Sequence, residues 1–230
     1  MDYLTEAFEK AFWLIVHFDR ELAVVVWTSL RVSLTATVLA SVVGVPLGFI
    51  IGQSQFWGKR QVEIGLNTSM ALPTVVVGLV IYSFISRRGP LGAYGLLFTP
   101  TAMVIGQFIL ATPIITALSL SATKSVDVRV VETARTLGAT AVQAAGATLS
   151  EARYAIIVAV AAGFGRVIAE VGSAMILGGN IYGYTRTMTT AIALETGKGE
   201  FALAIALGMI LLLIALTVNA VVQTFRLRKT

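Results

Sequence analysis

The sequence VVETARTLGATAVQAAGATLSEARYA, residues 130–155, decides how this chain is to be interpreted. It lies between two strongly apolar regions, and the whole interruption, residues 124–153, holds three arginines and two glutamates. A connection between packed helices usually takes roughly 2 to 8 residues. An interruption of about thirty residues therefore indicates a segment with a function of its own.

The periodicity of this stretch predicts a short amphipathic helix followed by a sharp turn. Its apolar and small residues recur every three or four positions, at Val131, Ala134, Leu137 and Ala141. Gly138 stands where a glycine commonly ends a helix in a left-handed conformation. Thr140 and Gln143 then match the capping box that starts a helix. We expect two short surface helices joined at Gly138, with Ser150 and Glu151 opening the next apolar span. Such a pair is either a rigid handle for a partner or an interfacial loop that covers lipid headgroups, and periodicity alone does not separate the two.

The composition is that of a membrane protein. Hydrophobic residues make up 57% of the 230 residues and charged residues 13%, against about 25% charged in soluble domains. The mean hydropathy is +0.86. The net charge of +5 comes from basic residues scattered at the ends of apolar segments, so it indicates membrane orientation rather than nucleic-acid binding. The chain has no cysteine and one histidine, His17, which argues against thiolate metal sites and histidine-based catalysis.

The apolar segments that are long enough to span a bilayer predict an all-α, polytopic membrane protein of about five transmembrane helices. They lie at about residues 22–51, 64–86, 100–123, 154–177 and 201–224. Pro46, Pro73 and Pro113 fall inside the first three, where neighbouring helices can satisfy the freed backbone groups. Residues 1–21 mix acidic and aromatic side chains and predict an amphipathic N-terminal helix at the membrane interface. We expect one transmembrane domain over residues 1–230.

Basic residues set the expected orientation, because Lys and Arg concentrate in cytoplasmic loops. If residues 124–153 are cytoplasmic, that side holds nine of them: Lys59, Arg60, Lys124, Arg129, Arg135, Arg153, Arg226, Arg228 and Lys229. The other side holds six: Lys10, Arg20, Arg87, Arg88, Arg186 and Lys198. Arg87 and Arg88 work against the rule, whereas the basic tail and the acidic N-terminus support it. We expect the N-terminus outside and the C-terminus in the cytoplasm.

Two charged residues lie inside the fourth span, in GFGRVIAEVG (163–172). Arg166 and Glu170 are four residues apart and so share one face of a helix. Charges at that depth are costly and usually pair or face the inside of a bundle. They predict either an ion pair that holds helices together or a pathway in which Arg166 attracts an anion and Glu170 sets its position. The two interpretations are compatible.

The polar segment GGNIYGYTRTMTTAIALETGKGEF, residues 178–201, is expected on the outer side. Its apolar positions predict a short, partly buried helix, at Met188, Ile192 and Leu194. Asn180, Thr185, Arg186 and Thr187 are candidates for contact with an oxyanion or a binding protein. Composition alone favours a plain solvated loop.

The run ETARTLG, residues 132–138, resembles the EAA motif, E-A-A-x-x-x-G, of ABC-importer permeases. Glu132, Ala134 and Gly138 match, and Thr133 replaces an alanine. In that family the motif forms a cytoplasmic coupling helix that docks on the ATP-binding subunit. The resemblance assigns that contact, within a coupling segment at 124–153, to Glu132, Thr133, Ala134, Arg135, Leu137 and Gly138. The family pattern continues with I-x-L-P, where this chain has Thr148, Leu149, Ser150 and Glu151 and no proline.

The segment from Gly165 to Phe201 resembles the molybdate, tungstate and sulfate branch of these permeases, and TRTMTTAIALETGKGEF (185–201) is most similar to the tungstate type. The resemblance implies the type I ABC-importer permease fold in a prokaryotic inner membrane. It also implies a pore formed by two copies of the chain, a dimer of ATPase subunits that bind ATP and Mg²⁺, an extracytoplasmic substrate-binding protein, and surrounding lipid. The expected cargo is tungstate, with molybdate, sulfate or another small solute as alternatives.

The chain itself is not expected to be an enzyme. It has no G-x-x-x-x-G-K-[ST] loop for ATP, and we expect no catalytic residue, metal, cofactor or nucleic-acid partner in this subunit. The alternative from a different class is an ATP-independent secondary transporter that uses Arg166 and Glu170 for ion coupling. Such a protein would show internal repeats with paired broken helices, and the sequence has no convincing repeat.

Overall fold

The computed structural model describes residues 2–17 and 19–227, and within them the chain is helical, without strands. The helices α1 to α10 have, in chain order, the bounds Asp2–Val16, Arg20–Gln53, Lys59–Met70, Thr74–Ile85, Pro100–Lys124, Val128–Thr136, Ala141–Ile168, Gly172–Gly178, Met188–Lys198 and Phe201–Leu227. A 3₁₀ turn at Gly92–Tyr94 lies between α4 and α5. The all-α prediction is confirmed.

The helices that could cross a membrane agree in number with the sequence. Within the described ranges, four helices are long and apolar enough, namely α2, α5, α7 and α10. The bent pair of α3 and α4 raises the number to five if the pair forms one span. All five predicted spans therefore have counterparts in the structure, but the second and the fourth differ in shape from the prediction.

The second predicted span, 64–86, is not one straight helix. α3 ends at Met70, α4 begins at Thr74, and the two are bent by 95°. Pro73 explains the break, because its ring disfavours helical backbone at Leu72 and removes the N–H that a continuous helix would use. Pro73 itself is extended, with φ −63° and ψ 121°.

The fourth predicted span, 154–177, begins too late and continues too far. α7 begins at Ala141 and ends at Ile168, and the chain breaks before α8. Ser150 and Glu151, predicted to open this span, lie inside α7. Residues 141–153 are rich in alanine and contain no proline, so nothing interrupts the helix that starts at the capping box.

The first span extends two residues beyond its predicted bounds at each end. Asp19 caps α2, because its Oδ1 accepts the N–H of Glu21 at 2.8 Å and that of Leu22 at 3.3 Å. The helix then continues through Pro46 for 34 residues, or about 51 Å at 1.5 Å per residue. This exceeds a hydrocarbon core of about 30 Å, so α2 must tilt or extend beyond it.

α2 packs tightly along α5. A methyl group on Gly48 would lie 2.4 Å from the carbonyl oxygen of Thr116, and one on Gly44 would lie 3.2 Å from that of Thr112. The contact positions advance together along both chains, so the two helices run parallel. Glycine on this face of α2 therefore allows the backbones to approach more closely than any side chain would permit.

α1 lies against α10 through small residues. Ala7 and Ala11 are buried in that contact, whereas Phe8 and Phe12 are exposed on the opposite face. An exposed aromatic face suits a helix at the membrane interface. The interfacial position of residues 1–21 stays a prediction.

The bundle has two ends that are useful for describing the site. One end, the α6 end, carries α6, the end of α2 and the end of α5. The other, the α9 end, carries α9, the start of α2 and the end of α4. Residues 1 and 18 of the predicted interfacial segment, Arg228 and Lys229 of the predicted basic tail, and the side chain of Arg226 lie outside the described residues.

Candidate functional site

α6 begins with a cap that doubles as an ion pair. The Asp127 carboxylate accepts the backbone N–H of Arg129 at 2.9 Å and its Nε at 2.8 Å. The side-chain hydrogen bond from Arg129, and then the backbone one, lower the pKa of the Asp127 carboxyl below its usual 3.8. The same side-chain bond raises the pKa of Arg129. The carboxylate is therefore ionised at neutral pH and holds the first turn of α6.

The turn after α6 closes as the sequence predicts. Gly138 has a φ of +83°. Its N–H donates to the carbonyl of Arg135 at 3.0 Å, and the N–H of Ala139 donates to the carbonyl of Ala134 at 3.0 Å. This is a Schellman ending, and its left-handed residue favours glycine.

α7 starts immediately beyond the turn. The N–H of Thr140 donates to Oε1 of Gln143 at 2.8 Å, and the N–H of Gln143 donates to Oγ1 of Thr140 at 3.4 Å. The predicted capping box is confirmed, but the predicted second short helix is wrong. It is the beginning of α7, which runs without interruption to Ile168.

Residues 128–142, called the α6 turn below, present a mixed apolar and charged surface. Val128, Leu137 and Val142 are 66%, 83% and 81% exposed. Glu132 and Arg135 are also exposed and form no ion pair with any described residue. Of the six predicted coupling residues, Ala134 is half-buried, and the exposed ones are Glu132, Thr133, Arg135, Leu137 and Gly138. Large apolar side chains beside unpaired charges are typical of a contact surface.

Arg166 and Glu170 form the predicted pair at the other end of α7. Nη1 of Arg166 lies 3.2 Å from Oε2 of Glu170. The two side chains differ sharply in environment, because that of Glu170 is 2% exposed and that of Arg166 is 41% exposed. The other oxygen of Glu170 accepts the N–H of Ser173 at 3.0 Å. Glu170 thus joins the end of α7 to the first turn of α8.

The break between α7 and α8 meets the break between α3 and α4. A methyl group on Gly172 would lie 3.0 Å from Oγ1 of Thr74 and 2.7 Å from Cγ2 of Val75. One on Gly78 would lie 3.0 Å from the Cα of Ser173. α4 and α8 therefore pack against each other directly beside the Arg166–Glu170 pair.

The segment after α8 is not the solvated loop that composition favours. Thr185 and Thr190 are fully buried, and Thr187 is 4% exposed. Oγ1 of Thr185 donates to the carbonyl of Gly178 and accepts the N–H of Ile181 at 3.0 Å. The Thr185 hydroxyl thus joins the last carbonyl of α8, which has no partner within the helix, to the loop that follows. The threonines therefore belong to the interior of the fold.

Asn180 and Thr187 brace the same segment. Asn180 has a φ of +52°, a conformation that asparagine tolerates better than most residues, and its Nδ2 donates to the carbonyl of Thr190 at 3.4 Å. Thr187 caps α9 in a reciprocal hydrogen-bonded pair with Thr190. The predicted short helix is confirmed as α9.

Arg186 is engaged by neighbouring side chains. Its Nη1 lies 3.5 Å from Glu21 and 3.9 Å from Glu195, and its guanidinium lies 5.2 Å from the centre of the Tyr182 ring. Its side chain is 13% exposed. Glu195 also receives Lys198 at 2.9 Å. Arg186 therefore links the start of α2 to α9.

The first turn of α9 also contacts α2 and the junction between α7 and α8. The N–H of Met188 donates to Oγ of Ser29 in α2 at 2.7 Å, and Oγ1 of Thr189 donates to the carbonyl of Glu170 at 2.7 Å. Sequence reasoning missed both links, because they join residues far apart in the chain. Serine and threonine inside apolar segments were the signal. Among the described residues, no cluster of acidic and histidine side chains could hold a metal ion.

Comparisons with known proteins agree with this architecture. The family described as "Binding-protein-dependent transport system inner membrane component" matches residues 44–229. The chain is 41% identical over 226 residues to the tungstate uptake system permease protein TupB of Peptoclostridium acidaminophilum, covering 98% of this chain and 99% of the relative. It is 43% identical over 230 residues to TupB of Campylobacter jejuni, covering 100% of this chain and 95% of the relative.

A solved structure shows the same fold. The structure is that of a bacterial alginate ABC transporter in complex with an alginate pentasaccharide-bound periplasmic protein, and it superposes with a TM-score of 0.72 at 18% identity. The match covers 95% of this chain and 82% of the other. With these matches and its apolar helices, the chain is a multi-pass inner-membrane protein of the family of binding-protein-dependent transport permeases, the membrane subunits of ABC importers.

Proposed function

We propose that this chain forms, as a homodimer, the transmembrane pathway of an ATP-driven oxyanion importer, and that its cargo is tungstate. The observation that carries the proposal is the similarity to two tungstate uptake permeases, 41% and 43% identical over almost the whole chain. A single subunit of about five spans is too small to enclose a wide conduit, which favours two copies.

The α6 turn is the proposed contact with the ATPase subunit, which binds ATP and Mg²⁺. Leu137 and Val142 would insert into a groove of the partner, since they are large, apolar and more than 80% exposed. Glu132 and Arg135 would fix the register, because unpaired charges discriminate between alternative placements of one surface on another. Thr133 and Ala134 keep the face small, and Gly138 gives the turn its shape.

α7 would transmit the motion of the ATPase into the membrane. It is a continuous helix of 28 residues, or about 42 Å, and its first turn is locked by the Thr140 capping box. A displacement at the α6 turn therefore moves Arg166 and the break beside it. A flexible connector at Ser150 would have absorbed that displacement.

Arg166 is the proposed cation of the anion pathway. It is the exposed partner of a pair whose other member is buried, so its guanidinium retains donors that can face an oxyanion. Glu170 would act as its positioning residue, because that carboxylate is held by Ser173 and by Arg166 together.

The α9 end is the proposed outer face, to which an extracytoplasmic binding protein delivers the anion, with the N-terminus outside and the C-terminus inside. Asn180, Thr185, Arg186 and Thr187 would support that face by bracing α9, since each has at least one side-chain polar atom that contacts another protein group. ATP binding would draw two ATPase subunits together, the α6 turns would follow, and the cavity would open outward until hydrolysis resets it.

Uptake by a reconstituted complex tests the proposal. The chain would be placed in liposomes with its ATPase and binding protein, and ATP-dependent accumulation of tungstate, molybdate and sulfate would be compared. We expect uptake only with all components, and preferentially of tungstate. Accumulation by this subunit without an ATPase would contradict the proposal and favour a secondary transporter. Equal or greater uptake of molybdate or sulfate would leave the importer class standing and correct the cargo.

A further inference from the structure

An open pocket of about 620 Å³ lies where α4 ends, at the α9 end of the bundle. Its lining includes Tyr82, Ser86, Arg87, Arg88, Gly92 and Phe98. The loop folds closely over α4, and a methyl group on Gly92 would lie 2.5 Å from the carbonyl of Ser86. The two arginines are thus held beside a defined concavity rather than on an extended loop.

Within the part of the chain that the structure describes, Arg87 and Arg88 have no carboxylate partner. Both are exposed, and neither forms an ion pair with a described residue. Glu21 and Glu195, the acids that pair with arginine at this end, both pair with Arg186. The two arginines therefore bring positive charge to the pocket, and no ion pair among the described residues offsets it.

The position of the positive charge at Arg87 and Arg88 needs an explanation. On the proposed orientation it lies outside, where the distribution of Lys and Arg disfavours it. Arginine near the end of a helix also complements the helix dipole, although one cation of either kind would suffice for that. Two adjacent guanidiniums facing one pocket are the arrangement that binds an oxyanion, because each can donate a pair of parallel hydrogen bonds.

A structural path joins this pocket to Arg166. Phe98, in the pocket wall, has a φ of +61°. Its N–H donates to the carbonyl of Leu177 at 2.9 Å. Its ring also packs against Gly179, where an added methyl group would lie 2.8 Å from Cδ1 of the ring. α8, which ends there, starts next to Glu170. α8 thus runs from the junction at Glu170 to the residue that bonds to the pocket wall, a helix length of about 10 Å for seven residues.

We propose that the pocket at Arg87 and Arg88 is an outer binding site for a tetrahedral oxyanion, one α8 length before Arg166. The inference rests on the proposed function, because placing this site before Arg166 assumes that the anion moves inward from the α9 end. Two sources supply the same chemistry, a free oxyanion delivered for transport and the phosphate of a lipid headgroup. Lipid is a source because Phe84 and Tyr94, near the pocket, are 52% and 73% exposed and suit a membrane interface.

The test uses the full transporter in nanodiscs and two charge-matched double variants. Arg87→Gln with Arg88→Gln removes the proposed site. Lys10→Gln with Arg20→Gln removes the same charge from exposed residues elsewhere at the same end. Tungstate binding is measured by calorimetry in zwitterionic lipid, without the binding protein, and retention of anionic lipid is measured by native mass spectrometry. Arg87→Lys with Arg88→Lys keeps the charge and removes the paired donors.

For a free oxyanion, the glutamine pair at 87 and 88 should weaken tungstate binding by about tenfold or more, since hydrogen bonds to charged groups are worth about 1.5 to 3 kcal/mol. The lysine pair should give an intermediate loss, and the pair at 10 and 20 should give none. For a lipid phosphate, the same ranking should appear in retained anionic lipid, with tungstate binding unchanged.

Equal tungstate binding and equal lipid retention in all variants would overturn the inference. ATP-driven uptake separates this failure from that of the proposed function. If the wild-type complex imports tungstate and the glutamine pair does so with an unchanged KM, only the outer site is wrong. If the wild-type complex does not import an oxyanion, the proposed function is wrong, and binding at the pocket is then judged by the lipid measurement alone.

Discussion

α6 and α9 are short helices at opposite ends of the bundle, and the charges of Glu132 and Arg135 in α6 are placed differently from the charge of Arg186 beside α9. At the α6 end, Glu132 and Arg135 are exposed and unpaired among the described residues. At the α9 end, Arg186 is 13% exposed and shared between two carboxylates. A charge left unpaired at a surface is available to a partner, whereas a charge buried with its counter-ions holds its own elements together.

Similar sequence signals have different structural roles at the two ends. Both ends contain a threonine-capped helix preceded by a glycine with positive φ, at Gly138 and at Gly183. Only the surroundings distinguish them, because Thr140 is exposed and Thr187 is buried. Variants placed at equivalent positions of the two ends should therefore separate stability from coupling.

Arg186→Met should have the largest effect, and it should be on stability. Removing the guanidinium leaves the buried carboxylate of Glu195 paired with Lys198 but no longer with Arg186, and it leaves Glu21 without Arg186. We expect this loss to lower the free energy of unfolding by about 2 kcal/mol. Arg135→Met at the other end should change it by less than about 0.5 kcal/mol. Thermal unfolding in nanodiscs gives the comparison, and equal melting temperatures for the two variants would remove the proposed difference between the ends.

Gly138→Val should mainly affect coupling. A β-branched residue at φ +83° costs about 1 to 2 kcal/mol, so the α6 turn should reopen and ATP-driven uptake should fall roughly tenfold. Gly138→Asn is the matched control, because asparagine tolerates this backbone region. Membrane insertion should be normal for both. A valine variant that couples ATP hydrolysis to uptake like the wild type would show that the shape of the turn does not matter.

Threonine caps allow a direct comparison of the two ends. Thr187→Ala and Thr140→Ala each remove a helix cap worth about 1 kcal/mol. The loss at Thr187 should appear in the melting temperature, because its hydroxyl also contacts Thr189 at 3.2 Å in the interior. The loss at Thr140 should appear in ATP-driven uptake with little change in melting. The reverse result would mean that α9, rather than the α6 turn, carries the coupling.

The smallest effect is expected from pH at Asp127. The hydrogen bonds from Arg129 lower the pKa of the Asp127 carboxyl below 3.8, the value of the unfolded chain. The stabilisation by this cap is therefore fully present above pH 3.8, and it is lost only as the pH falls through the lower pKa of the folded protein. Coupling should therefore be insensitive to titration of this group between about pH 7 and pH 5. Asp127→Asn should change uptake by less than about twofold, because asparagine caps helices nearly as well. A wild-type transition near pH 5 that the Asn variant lacks would contradict this.

Local signals allowed much of the site to be predicted from sequence. The stop at Gly138 and the capping box at Thr140 depend on a few adjacent residues, and both are present. The spacing of four residues predicted the contact between Arg166 and Glu170, and the contact is present although Glu170 lies two residues beyond the end of α7. α9 was visible in its apolar positions. In each case the residues that decide the structure are neighbours in the chain.

The remaining features depend on tertiary contacts that no local pattern contains. No proline marks the point where α7 ends before Glu170. The junction between α7 and α8 is instead held by the Glu170 carboxylate, which accepts the N–H of Ser173. Pro73 breaks its span, whereas Pro46 lies within a continuous helix. The composition of residues 185–190 predicted a solvated loop, because composition does not reveal which backbone groups lack a partner that a threonine hydroxyl can supply. Ser150 and Glu151 resemble a helix start but follow an alanine-rich turn that is already helical.

The uninterrupted course of α7 has a consequence for chain length. An α-helix turns by about 100° per residue, so inserting one residue anywhere between Thr140 and Arg166 would rotate the guanidinium by that angle relative to the α6 turn. Removing one would rotate it the other way. If α7 couples the α6 turn to Arg166 as proposed, substitutions along this stretch can be neutral, whereas an insertion or deletion should impair uptake. An insertion of about seven residues would restore the phase, but it would shift the break beside Glu170 by two turns. The count of residues between the turn and the arginine is therefore as much a part of the site as the residues themselves.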